Sequence, residues 1–174
     1  MRGINCVIVA LTVWLASNCA ALAQTSPETR LKELNLTLPS PTRMSPAGNR
    51  TGAVQIGNML YIAGHPSQFP VKGKVGKELT AEQGQQAARQ SALLILATAR
   101  DVLGSLDRVK RVVKVVGYVN AVEGFAQSPL VVDGFSNLMI EVFGQAGIHA
   151  RSAVGVQSLP GNDPVEVEAI MEIQ

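Results

Sequence analysis

Apolar positions along this chain fall into runs whose spacing separates strands from helices. Residues Ala53 to Ile56 and Met59 to Gly64 are two short apolar runs joined by Gly57-Asn58. Two such runs with a two-residue Gly-Asn link predict a β-hairpin. Pro66 to Lys77 reads as a loop with Gly73 and Gly76 as hinges. Thr80 and Gln83 then have the spacing of a capping box, which opens a helix running to about Leu103. Gly104 stands where a C-terminal cap is expected. Within that helix Ala87, Ser91, Leu94, Ile95, Thr98 and Val102 form one small and apolar stripe, and Gln85, Gln86, Arg89 and Arg100 point outward. Val109 to Asn120 is rich in β-branched valine and predicts a long strand, largely buried at its centre. Pro129 to about Phe143 predicts a second, weaker helix, with Asp133-Gly134 as a point of interruption near its start. Ala150 to Leu159 and Val165 to Ile173 predict two more strands, joined by a turn-rich link at residues 160–164.

The predicted order is β-β-α-β-α-β-β. One sheet with two helices on one face is a two-layer α+β domain. The strands Val109 to Val119 and Val165 to Ile173 carry more apolar side chains than one helical layer covers. The opposite sheet face is therefore expected to meet other copies of the chain.

The N-terminal residues follow a different pattern. Arg2 is the only charge ahead of the apolar run Val7 to Ala16, and Ala21-Leu22-Ala23 precedes Gln24. A positive start, a short apolar run and small residues at −3 and −1 predict a cleaved export signal over residues 1–23. The run is shorter than the roughly 20 residues of a membrane span. A lipoprotein reading at Cys19 fits poorly, because Asn18 precedes it. The expected location is periplasmic or secreted, with no membrane attachment once the signal is removed. Residues 24–48, rich in Ser, Pro and Thr, read as an irregular leader with at most one short helical turn around Glu28 to Leu34. The domain proper is then 49–174.

Composition narrows the chemistry. Both cysteines, Cys6 and Cys19, lie in the signal, so the mature chain has no thiol or disulfide chemistry. Two histidines and no mature cysteine argue against a transition-metal site. A net charge of +2 and an aromatic content of 4% supply neither a basic footprint nor stacking platforms for nucleic acid.

Several segments together resemble one family. They are Gly57 to Gly64, the helix opening at Thr80, Val109 to Val115, His149 to Val156, and Leu159-Pro160 followed by Val165 to Ala169. In this order and spacing they are similar to the Rid (YjgF-type) family, also called endoribonuclease L-PSP. The resemblance implies a chorismate-mutase-like fold, a homotrimer and ligand clefts between subunits. For one branch it implies cofactor-free hydrolysis of reactive 2-imino acids to 2-keto acids and ammonia. Carried over by position, Arg151 matches the arginine that holds a substrate carboxylate, Glu166 the glutamate that handles water, and Gly64 a glycine whose backbone lines the site. Arg50, Ala63, His65 and Ala153 stand where the active deaminases carry tyrosine, serine, glutamine and cysteine. The segment Phe125 to Phe135 between strand and helix is also longer. This pattern resembles a divergent, exported subgroup.

The residue chemistry agrees with that assignment in outline. A guanidinium is a planar fork suited to a carboxylate, although Arg151 also suits a salt bridge to Glu166 or Glu168 of a neighbouring subunit. Glu166 and Glu168 alternate with Val165, Val167 and Ala169, so both point to one sheet face. His65 follows Gly64 at a strand end, where it can donate to a ligand or move a proton. His149 is expected to brace the loop before Arg151 with one ring nitrogen. Arg50, if it enters the cleft, adds a second permanent positive charge that favours a dicarboxylate or phosphate. Two functions remain: an enamine/imine deaminase using Glu166 and His65 with Arg151, Gly64 and Arg50 as the binding set, and a trimeric small-carboxylate-binding protein without turnover.

Overall fold

The computed structural model describes residues 25–41 and 49–174. The predicted export signal lies outside the described residues. The fold contains a helix α1 (Pro27–Glu33), strands β1 (Ala53–Ile56) and β2 (Met59–Pro66), helix α2 (Ala81–Leu103), strand β3 (Val109–Asn120), helix α3 (Ser128–Phe143), and strands β4 (Ala150–Val156) and β5 (Val165–Ile173). From β1 onward this is the predicted order.

The local signals act as their chemistry requires. Gly57 takes the positive φ of 57° that the hairpin turn needs. Thr80 accepts from the Gln83 N–H while the Gln83 side chain accepts from the Thr80 N–H, closing both ends of the capping box. Gly104 ends α2 in the left-handed conformation, φ 80°. Along α2 the predicted stripe is buried except at Val102, which is exposed. Leu103 takes its place in the core. Helix α3 begins at Ser128, one residue before the predicted start, and runs unbroken through the expected interruption at Asp133-Gly134, so most of the segment Phe125 to Phe135 is helical.

One five-stranded sheet has the order β1-β2-β5-β3-β4, with β4 parallel to β3 and all other neighbours antiparallel. Helices α2 and α3 cover one face. Val165, Val167, Ala169, Met171 and Ile173 of β5 point to that side and are buried. The alternate residues Glu166, Glu168, Ile170 and Glu172 point to the open face. Val54, Ile56 and Tyr61 of the hairpin and Val154 of β4 are exposed on the same open face.

Two details position the functional side chains. The pairing of β2 with β5 shifts register between Ile62 and His65, so Ala63 and Gly64 together oppose Glu168. This β-bulge rotates the end of the strand, and His65 follows Leu60 and Ile62 to the helix side. The leader is also anchored to the domain. Leu31 of α1 is buried, the Glu28 carboxylate accepts from the Leu106 N–H at 3.0 Å, and the Arg30 Nε–H donates to the Glu141 carbonyl at 3.2 Å.

Candidate functional site

Glu166 sits on the open face of β5, in register with Pro66 of β2 and Tyr118 of β3. Its carboxylate lies directly over Gly64: a Cβ on that glycine would overlap the Glu166 Oε1. A side chain at that position would push the carboxylate end of Glu166 aside. Burial pushes the Glu166 carboxyl above its ordinary range, and the neighbouring carboxylates of Asp163 and Glu168 push it further. Tyr118 is raised as well, first by burial and then by the charges of Glu168 and Glu166. Asp163 is held by the Ser67 hydroxyl and the Lys72 ammonium, each at 2.9 Å. The open face thus carries a carboxyl group with raised proton affinity, next to a glycine backbone and a phenol.

A groove of about 300 Å³ adjoins this group, lined by Thr51, Val54, Tyr61, Ala63, Lys114 and Glu168 among others. Ala63 contributes a methyl group to this groove. Arg50 is exposed and directly precedes Thr51 of this lining.

Arg151 lies elsewhere. Its register partner on β3 is Val115, whose side chain is buried under the helices, while Glu166 pairs with Tyr118 on the other face. Arg151 therefore points to the helix side at the sheet's β4 edge. Its Nη1 donates to Asp133 Oδ1 at 2.7 Å and to Ser136 Oγ at 3.0 Å, both on α3. The chain of contacts continues to His149, whose Nε2 is 3.1 Å from Ser136 Oγ and whose Nδ1 is 2.6 Å from the Gly147 carbonyl. A carbonyl only accepts, so Nδ1 carries the proton and Nε2 accepts from the serine hydroxyl. Burial lowers the His149 pKa. The Gly147 bond opposes this and the Arg151 charge adds to it. His149 thus braces the loop as expected and, through Ser136, also holds Arg151. A small cavity of about 180 Å³ opens beside Ser136, Ile140, Ile148, His149 and Arg151.

Within one chain the structure brings Gly64 and Glu166 together and leaves Arg151 on the opposite side of the sheet. It places His65 apart from both. His65 is fully buried, its Nδ1–H donating to the Ala63 carbonyl at 2.6 Å and its Nε2 accepting from the Thr98 hydroxyl at 2.8 Å. Both ring nitrogens are occupied between sheet and α2, so the ring braces the bulge and does not face Glu166. Burial lowers its pKa, against the opposing effect of the Ala63 bond. The unfolded chain then binds the proton more readily than the folded one. The stability that neutral His65 contributes is present above its unfolded pKa of about 6.5 and is lost as pH falls below it. Unfolding free energies from urea titrations at pH 7.5 to 5 are expected to fall, by no more than about 1.4 kcal/mol per pH unit for this one group. His65→Asn should flatten that slope. An unchanged slope would show that His65 does not titrate on unfolding.

Three contributors went unassigned from sequence: Asp133, Ser136 and Tyr118. Asp133 and Ser136 are three residues apart on α3, the spacing of one helix face, but Asp133-Gly134 also carries a turn signal. Tyr118 enters only through its register with β5.

The family profile described as Endoribonuclease L-PSP matches residues 41–173. The chain is 40% identical over 148 residues to Protein TCP17 of Trypanosoma cruzi, covering 82% of this chain and 91% of that protein. It is 28% identical over 138 residues to a 2-iminobutanoate/2-iminopropanoate deaminase of Dermatophagoides farinae, covering 78% and 94%. Among solved structures, a protein of unknown function from Agrobacterium tumefaciens superposes with a TM-score of 0.76 at 40% identity, covering 84% of this chain and 91% of that one. The profile match over most of the domain, with the five-stranded sheet and two covering helices, establishes that the chain belongs to the endoribonuclease L-PSP family, the YjgF/Rid proteins.

Proposed function

We propose that this protein hydrolyses small reactive 2-imino acids to 2-keto acids and ammonia, in clefts formed where chains of a homotrimer meet. The observation that carries the reading is the Glu166 carboxyl seated on Gly64, with its proton affinity raised by burial and by two neighbouring carboxylates. A carboxylate of raised basicity is suited to take a proton from water as that water attacks an imine carbon. The imine is already electrophilic, so the reaction needs no cofactor. Arg151 supplies the clamp for the substrate carboxylate. Family membership and the likeness to the mite deaminase support the same chemistry.

Assembly is part of the proposal because Arg151 and Glu166 lie on opposite sides of one sheet. A cleft containing both needs Arg151 at the β4 edge of one chain and Glu166 on the open face of another. The exposed apolar residues Val54, Ile56, Tyr61 and Val154 support that face as the contact surface. His65 then acts as a structural brace, and the backbone of Gly64 lines the cleft. Arg50 stands at its rim. Residues 1–23 would deliver the chain outside the cytoplasm.

A second reading is a binding protein that holds a small carboxylate without turnover. Ala63 favours it, since no side-chain hydroxyl stands at that position to orient the substrate.

The test is loss of 2-imino acids generated in situ by an amino acid oxidase, with residues 24–174 as catalyst and Arg151→Ala as control. Wild type is expected to accelerate imine loss. The variant should be about 10- to 100-fold less effective, the weight of a charge-assisted hydrogen-bond pair. No acceleration across several side-chain classes would remove the hydrolase reading and leave the binding one.

A further inference from the structure

We infer that Asp133 makes the Arg151 subsite selective for zwitterions, small molecules carrying a carboxylate beside a cationic nitrogen, over simple anions and dicarboxylates. The inference rests on the reading of Arg151 as a carboxylate clamp and goes beyond it in naming what that clamp accepts.

Arg151 does not present a free guanidinium. Its Nη1 directs one N–H to Asp133 at 2.7 Å and the other to Ser136 at 3.0 Å, and its side chain is only 24% exposed. A guanidinium carries five N–H donors. The Nε and Nη2 donors make no hydrogen bond to described residues, and together they form a second planar edge. A ligand carboxylate has that edge available in the bidentate geometry. The Asp133 carboxylate sits on the other side of the same group, 42% exposed, with Oδ2 outside the bridge. A ligand clamped at Nε and Nη2 therefore meets a negative charge close by.

The charge balance follows. The Arg151–Asp133 pair is neutral as a unit. His149 adds no positive charge near neutral pH, because burial and Arg151 both lower its pKa. A simple carboxylate gains the fork and is repelled by Asp133, and a dicarboxylate is repelled twice. A cationic nitrogen next to the carboxylate turns that repulsion into attraction. A protonated 2-imino acid is such a zwitterion. Its hydrolysis, R–C(=NH₂⁺)–COO⁻ + H₂O → R–CO–COO⁻ + NH₄⁺, starts from the more electrophilic, protonated form. Asp133 beside that nitrogen would favour the reactive state. Ser136, bridging Arg151 to His149, fixes the guanidinium orientation on which this selection depends.

The experiment compares alanine with propionate, which differ at one position by an ammonium group. Dissociation constants at pH 7 are measured calorimetrically for the 24–174 chain, Asp133→Asn, Asp133→Ser and Arg151→Ala, with thermal melts confirming folding. Wild type is expected to prefer alanine by about tenfold or more, the scale of one close charge contact. Both Asp133 variants should lose that preference, chiefly by gaining affinity for propionate. Equal ratios in wild type and both Asp133 variants, or a wild-type preference for propionate, would overturn the inference. If Arg151→Ala still weakens both probes in that case, the clamp survives and only the role of Asp133 falls. If wild type binds neither probe, or Arg151→Ala binds both as wild type does, the clamp falls and the selectivity falls with it.

Discussion

Glu166→Gln is expected to slow imine hydrolysis by about 10²–10⁴-fold, the usual contribution of a positioned general base. Glutamine keeps the shape that fills the space over Gly64 and cannot take a proton at neutral pH. The same substitution is expected to raise stability near pH 7. Glu166 has its pKa raised above the ordinary 4.5, first by burial and then by Asp163 and Glu168. A raised folded pKa means that the group's favourable contribution is fully present below the unfolded pKa and is lost as pH rises through the folded one. At neutral pH the ionised carboxylate therefore opposes folding, and glutamine relieves that cost. The pH profile gives a third readout. Wild-type kcat should fall on the acid side as Glu166 takes up its proton, with an inflection above about 4.5. The variant should lack that limb. Lower activity with lower stability would instead identify Glu166 as a structural residue, and unchanged activity would remove it from the mechanism.

How far the site was legible before the fold was known depends on whether each position is set by local or by distant pairing. Alternation within β5 is a local rule, and it places Glu166 and Glu168 on one face as expected. The caps of α2 and the Gly57 turn are local as well. His65 shows the opposite case. In a regular strand it would share the open face with Tyr61 and Ala63, but the bulge at Ala63-Gly64 inverts that parity. Nothing in a Gly-His dipeptide announces that shift. The face taken by Arg151 follows from its parallel register with β3, and its partner Asp133 comes from α3, 18 positions earlier in the chain. Such a pair becomes visible only when both elements are packed. The leader gave the same kind of difficulty. Proline and serine suggested an irregular segment, yet Leu31 and Glu28 tie α1 to the domain.

Gly134→Ala is expected to destabilise the protein by about 2–3 kcal/mol, in the upper part of the range for over-packing a close contact. Helix propensity alone predicts the reverse sign: alanine in a helix interior is favoured over glycine by roughly 0.5–1 kcal/mol. The packing decides against it. A Cβ at Gly134 would overlap the backbone carbonyl oxygen of Gln85 in α2, and the Gln85 carbonyl carbon would lie 2.8 Å away. A backbone atom inside a capped helix cannot swing aside as a side-chain end can. The two helices are also tied close by, where Gln85 Nε2 donates to the Leu130 carbonyl at 3.1 Å and Gly84 of α2 faces Val131 of α3. Relief requires α3 to move away from α2. That movement carries Asp133, the preceding residue, and Ser136, two positions on, and both hold Arg151. Urea unfolding should therefore show a lower midpoint with an unchanged slope, together with weaker binding of small carboxylates. A rise in stability of the size that helix propensity predicts would mean that the two helices do not approach as closely as this contact requires.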